Sequence, residues 1–272
     1  MEQEKQYNMF PYITISKITL GFITISVFNL LVILAVCIGF LIVWVRSSHL
    51  GFNKRTKIWL ISSFIFVGFI VSHIFEIVFY NPKVLQRNPV DLLRFWGAMS
   101  SYGGIMGGLL YVIIIMKYLR LHRNIQLGFI DCIAFAFPFA WVFGRLGCAL
   151  AHDHVGINTD HWLAVQFPGG SRLDLGLIEF LYTLLIAILF VFLNFYRWPP
   201  GFFISSFCIL YGPARFIMDN FRTGDPRYLG WTPGQYGSIV ITFIGAYLII
   251  SIIRQQGYKK IYLEQSNLKK EV

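Results

Sequence analysis

From Ile18 to Val45 the chain carries no charged residue, and its interruptions are small or weakly polar side chains such as Asn29. A helix needs about 20 apolar residues to cross a hydrocarbon core about 30 Å thick. Further runs of this kind lie at 58–80, from Ser100 to Lys117, at 126–143, in a stretch that ends near Tyr196, at 202–216 and at 234–253. Backbone polar groups find no water inside a bilayer, so runs like these fold as helices. The expected fold is all-α. It is a polytopic membrane protein with about seven transmembrane helices, and a single membrane-embedded domain spans 1–272.

Charge placement supplies an orientation. Only 13% of residues are charged, against 56% hydrophobic, and the net charge is +10. That charged share is about half of what a soluble domain carries. Arg46, Lys54, Arg55, Lys57, Lys117, Arg120, Arg123, Arg197, Arg254, Lys259, Lys260, Lys269 and Lys270 all fall on one side of a seven-span chain. Basic residues collect in the cytoplasm. The expectation is a C-terminus in the cytoplasm and an N-terminus outside. Membrane topology and anionic lipid explain the basic excess better than nucleic acid does.

One polar stretch stands out from this background, running from Gly144 to Gly156. It holds Arg145, Cys148, His152, Asp153 and His154. Ionisable groups near membrane depth are costly and are read as functional. Arg145 recurs in kind at Arg215, and both fall toward the external side, with Arg172 and Arg222. A guanidinium fork matches phosphate oxygens, so Arg145 and Arg215 are candidates to hold a phospholipid head group. The competing reading is snorkelling from a helix end. Small neighbours (Gly144 and Gly147; Gly212 and Ala214) and nearby carboxylates (Asp153; Asp219) favour the first.

His152 and His154 are either a polar loop or general acid/base groups, since imidazole titrates near neutrality. No third ligand comes at a helical metal spacing, so no metal is expected. Cys37, Cys132 and Cys208 lie in apolar runs and read as packing residues. No C-x-x-C pair occurs. The pairs Gly103-Gly104 and Gly107-Gly108 serve either close helix packing or close approach of backbone to a ligand.

The order of these motifs resembles the prolipoprotein diacylglyceryl transferase family of bacterial inner membranes. The matching segments are Tyr102-Gly103-Gly104, Gly144-Arg145-Leu146-Gly147, Tyr211-Gly212-Pro213-Ala214-Arg215-Phe216 followed by Asp219 and Arg222, and Gly234-Gln235. The likeness runs over about 18–253. There are departures. The family's H-G-G has Tyr102 in the histidine position. Its G-R-x-G-N-F-x-N-x-E becomes Gly144 to Asp153, with Cys148 and Ala151 at the asparagines and Asp153 at the glutamate.

The resemblance implies transfer of a diacylglyceryl group from phosphatidylglycerol to the lipobox cysteine of a prolipoprotein, forming a thioether. The signal peptide of that preprotein and membrane lipids are the implied partners, without a cofactor. Arg145 and Arg215 are assigned to phosphate, with Arg172 or Arg222 in support. His152 and His154 are candidates for the base and Tyr102 for orienting the lipid. Asp153, Glu179 and Asp219 hold these groups, and Gly103, Gly104, Gly144, Gly147, Tyr211 and Gln235 line the substrate site. A related transferase with another acceptor, a transporter and a lipid-binding scaffold stay open as alternatives.

Overall fold

The computed structural model describes residues 10–20, 23–94 and 99–268; Lys269 and Lys270 lie outside them. Among the described residues, seven helices are long and apolar enough to cross a membrane. They are α1 (Val27–Arg46), α2 (Lys54–Phe75), α4 (Ser101–Tyr118), α5 (Arg123–Ala151), α6 (Leu175–Leu193), α7 (Phe202–Asn220) and α8 (Pro233–Leu268). The spanning part of α8 is Pro233–Gln255. A short helix, α3 (Pro82–Arg87), is too brief to cross.

The seven spans match expectation, with two corrections at their ends. The first span starts at Val27, not at residue 18. Its expected first turns form a hairpin instead, β1 (Lys17–Leu20) against β2 (Ile23–Ser26), antiparallel with Lys17 opposite Ser26. Ile18, Thr19, Ile23, Thr24 and Ile25 are β-branched, which favours strands. Ser26 then opens α1 as its N-cap, accepting from the Asn29 N–H. The fourth span is longer than expected. Helix α5 runs on through Pro138 to Ala151, so Gly144 to Ala151 lies inside the helix and does not follow it.

The mostly helical fold also carries one three-stranded antiparallel sheet that the all-α expectation lacked. It comprises β3 (Val155–Asn158), β4 (Ala164–Phe167) and β5 (Gly170–Asp174) in the order β3-β5-β4. Ala164 pairs with Leu173 and Val165 with Arg172. The sheet links α5 to α6.

Helix α5 is central and packs along α1, α6 and α7. Phe129, Phe135, Phe190, Phe203 and Phe207 fill the space between them. Asp131 accepts hydrogen bonds from the N–H groups of Gly201 (2.7 Å) and Ile204 (3.0 Å). This carboxylate caps the start of α7 from a neighbouring helix, where free N–H groups and the helix dipole favour negative charge.

Alternation of the spans brings the C-terminal ends of α2, α5 and α7 to one end of the bundle. The N-terminal ends of α4, α6 and α8 meet them there, with the sheet. The polar cluster forms at that end. Arg46, Lys54, Arg55, Lys117, Arg120 and Arg123 mark the opposite helix ends. Helices α2 and α4 approach closely. A Cβ on Gly103 would lie 2.4 Å from Phe75 Cβ, and one on Gly107 would lie 2.4 Å from Val71 Cβ.

Candidate active site

Glu179, one turn into α6 and fully buried, organises the cluster. Arg145 Nε from α5 lies 3.0 Å from its Oε1. Arg215 Nη1 from α7 lies 2.6 Å from its Oε2. Tyr211, one turn before Arg215 on the same face, donates its hydroxyl to Oε1 at 2.5 Å. Arg215 reaches a second carboxylate, Asp219, at 3.0 Å; the two stand four apart, the spacing at which helix side chains meet. Two buried guanidiniums and two buried carboxylates balance in charge. Buried ions persist only when paired and hydrogen-bonded in this way.

Arg145 keeps capacity to spare. Its Nη2 donates to Ser101 Oγ at 2.9 Å, and its Nη1 lies 3.8 Å from Cys148 Sγ. Both are neutral partners that an anion outcompetes, because charge-assisted hydrogen bonds are roughly twice as strong. The Trp141 ring covers the guanidinium at 4.8 Å.

The start of α8 closes the site from the far side. Thr232 Oγ1 donates to Asp219 Oδ2 at 2.7 Å. It also accepts the Gln235 N–H at 3.1 Å, while Gln235 Oε1 accepts the Thr232 N–H at 3.0 Å. This is a capping box, with Pro233 in the first helical position. It presses Gly234 so close that a Cβ there would meet Asp219 Oδ2 at 2.2 Å. Tyr102 is buried and bonds Ser238 Oγ, which donates to Gly234 O. The Tyr102 hydroxyl proton therefore points at Ser238, and the phenol braces the α8 turn that carries Gln235.

The two histidines are not equivalent. His152 ends α5 in the left-handed region, at φ 52°, where helices commonly terminate. Its Nδ1 lies 2.5 Å from Asp174 Oδ2 and its Nε2 lies 3.1 Å from Ile13 O. Its ring stacks on Tyr12 at 4.3 Å. Both nitrogens are thus engaged in the wall. Asp174 also caps α6 through the Leu177 N–H.

The left-handed turn swings Asp153 and His154 back over the last turn of α5. One ligand atom from each of Cys148, Asp153 and His154 lies within 4.8 Å of the others. His154 Nδ1 also faces Arg222 Nη2 at 3.4 Å. Burial, then the Arg145 and Arg222 charges, hold the His154 imidazole down at about 2, so the ring is neutral at pH 7. Arg222 is paired with Asp225 at 3.0 Å.

Other expected residues fall elsewhere. Arg172 donates to Gly156 O at 3.0 Å and to Thr223 Oγ1 at 3.4 Å, tying β3 and the end of α7 together. Gly103 and Gly104 face Phe75 and Ser72 of α2, the helix packing that was one of the two readings of these pairs. Gly147 packs on Phe28, whereas a Cβ on Gly144 would meet nothing within 4 Å. Of the three carboxylates expected to hold these groups, Glu179 and Asp219 pair with the arginines, and Asp153 lies beside Cys148 and His154. Sequence reasoning missed Ser101, Trp141, Thr232, Ser238 and Asp225. Only Thr232 had a readable signal, the T-P-G-Q spacing of a capping box.

An apolar groove of about 570 Å³ lies between the end of α2 and the start of α8, lined by Phe75, Val78, Phe79, Met106, Tyr228 and Tyr236 among others. It lies beside the π-helical turn Glu76–Tyr80 that ends α2. Such turns occur often at functional sites.

A bundle of seven apolar helices long enough to cross a membrane, with a buried arginine–carboxylate cluster at one end, has the architecture of a polytopic membrane enzyme. The chain belongs to the prolipoprotein diacylglyceryl transferase family, whose model matches residues 16–251. Transfer of a diacylglyceryl group to prolipoproteins is that family's reaction, and this chain is a multi-pass membrane transferase. It is similar to the phosphatidylglycerol–prolipoprotein diacylglyceryl transferase of Francisella tularensis subsp. holarctica, 28% identical over 260 residues, covering 89% of this chain and 94% of that protein. The protein of the same name from Francisella tularensis subsp. tularensis is 28% identical over 272 residues, covering 93% and 99%.

Proposed function

We propose that this chain transfers the diacylglyceryl group of phosphatidylglycerol to the lipobox cysteine of a prolipoprotein at the external face of a bacterial inner membrane. The observation that carries this reading is the convergence of Arg145 and Arg215 on Glu179. The phosphate enters where Arg145 now spends its Nη groups on Ser101 and Cys148. Glu179 holds both forks at one spacing, and Arg215 is held from behind by Asp219.

The acceptor sulfur attacks the glyceryl carbon, the C–O bond to phosphate breaks, and the electron pair leaves on glycerol phosphate. Prealigned guanidiniums stabilise the charge gathering on that oxygen. A free thiol has a pKa near ~8.5, and adjacent positive charge lowers it. Arg145 and Arg222 supply that charge. His154, neutral and partly buried, accepts the thiol hydrogen bond and orients the sulfur, and the proton passes to water. His152 is the structural support of this turn, and Tyr102 positions the α8 end. The preprotein's signal peptide docks in the membrane alongside, and a single domain carries all of these parts.

The test is transfer by the purified full chain in detergent, with glyceryl-labelled phosphatidylglycerol and a lipobox peptide. Label joined to the peptide as a thioether, with release of glycerol phosphate, is the expected result. Absence of transfer, or transfer indifferent to loss of Arg145 and Arg215, would refute the assignment.

A further inference from the structure

Cys148, Asp153 and His154 bring a sulfur, a carboxylate oxygen and a ring nitrogen within 4.8 Å of one another. Sulfur, nitrogen and oxygen in one set is the donor chemistry of zinc-class cations. With bonds of about 2.0–2.3 Å, a tetrahedral ion draws its ligands to roughly 3.5 Å apart. Closing the set to that spacing needs movements of up to about 1.3 Å. Two anionic ligands match a dication. Arg145 touches Cys148 Sγ at 3.8 Å and Arg222 touches His154 Nδ1 at 3.4 Å, which leaves His154 Nε2 as the ligand atom. The two charges are offset by Glu179 and Asp225, and neither arginine is ion-paired with Asp153. Cys148 is buried at the end of α5, His154 is partly buried and Asp153 is exposed, so the cluster has a closed side and an open one. Two of the three ligands, Cys148 and Asp153, sit where the sequence departs from the family pattern.

We propose that Cys148, Asp153 and His154 form a three-ligand site for a thiophilic divalent cation of the zinc class, whose fourth position takes the acceptor cysteine. The inference rests on the transfer reading above and concerns how the thiol is activated. Three protein ligands and one open position are the pattern of catalytic zinc. A coordinating thiol loses its proton outright. The S–H proton goes to water as the sulfur–metal bond forms. The sulfur then bonds the glyceryl carbon as the carbon–oxygen bond to phosphate breaks, and the thioether leaves the metal. Arg145, 3.8 Å from Cys148 Sγ, would stand between the two reactants.

The experiment uses the full chain in detergent, stripped with a chelator and reloaded with Co²⁺. The expected result is a sulfur-to-cobalt charge-transfer band that about doubles when a lipobox peptide adds a second thiolate. A peptide with serine for cysteine should leave it unchanged. Cys148→Ala and His154→Ala should each abolish site binding, two variants with different packing consequences, and zinc should restore transfer lost on stripping. No band, or a band indifferent to the peptide, would overturn the proposal, as would full transfer by stripped protein. If stripped protein is fully active and His154→Ala is not, the metal proposal falls and the transfer reading stands. If the peptide doubles the band but no lipid is transferred, the thiol-binding cation site stands and the transfer reading falls.

Discussion

Arg215 of α7 holds Glu179 of α6 at 2.6 Å, and neither side chain reaches solvent. The carboxylate has two clients, since its other oxygen serves Arg145. Substituting Glu179→Gln keeps the shape and removes the charge, leaving two buried guanidiniums with one carboxylate. Breaking a buried pair from one side costs about 3–5 kcal/mol. The expected outcome is a marked fall in thermal unfolding temperature in detergent, with loss of transfer. A variant as stable as the parent would mean that the cluster admits water freely.

Lysine in place of either arginine separates charge from geometry. Arg145→Lys and Arg215→Lys keep a cation but lose the planar fork. Each should lower the transfer rate by about 10²- to 10³-fold, the scale of losing one fixed transition-state donor. Arg172→Lys should stay within about twofold, because Arg172 is spent on Gly156 and Thr223. Initial rates with labelled phosphatidylglycerol check all three, and a larger effect at 172 than at 145 would reverse their roles.

The histidines should split by readout. His152→Ala removes the Asp174 and Ile13 contacts and the Tyr12 stack, so it should lower stability while the folded fraction keeps its activity. His154→Ala should lower transfer by about 10²-fold, the scale of losing one positioned hydrogen bond at the reacting group, with little change in unfolding temperature. Tyr102→Phe loses one hydrogen bond to Ser238 and should cost about 1 kcal/mol of stability without abolishing transfer. Abolition by Tyr102→Phe together with normal activity in His154→Ala would hand the chemistry to the tyrosine.

Two glycines make a packing contrast. A Cβ at Gly103 meets Phe75 at 2.4 Å, whereas one at Gly144 meets nothing within 4 Å. Gly103→Ala should therefore destabilise by about 1–3 kcal/mol through overpacking, and Gly144→Ala should change stability by at most about 0.5 kcal/mol. Equal unfolding temperatures would show that α2 and α4 adjust to each other.

Orientation is open to labelling. If the basic helix ends face the cytoplasm, a cysteine placed at Arg120 is protected from an impermeant thiol reagent added outside intact cells. One placed at Asp160 is labelled. The reverse pattern would invert the protein in its membrane.

The seven spans were legible in the sequence because length and hydropathy are local, and a bilayer leaves the backbone few choices. Their ends were less so. The β-branched run before Val27 is as apolar as a helix but pairs with itself, and hydropathy does not distinguish the two. The arginine signatures announced Arg145 and Arg215. They did not announce that both close on Glu179, because that meeting depends on how α5, α6 and α7 pack side by side. His152 and His154 look interchangeable along the chain. One left-handed residue at the end of α5 sends the first into the wall against Asp174 and the second toward Arg222 and Cys148. Composition determined that this protein lives in a membrane and carries buried cations. Which carboxylate neutralises each cation, and which imidazole is left available, was decided by tertiary packing, since a buried charge pairs with whatever the neighbouring helix presents within about 3 Å.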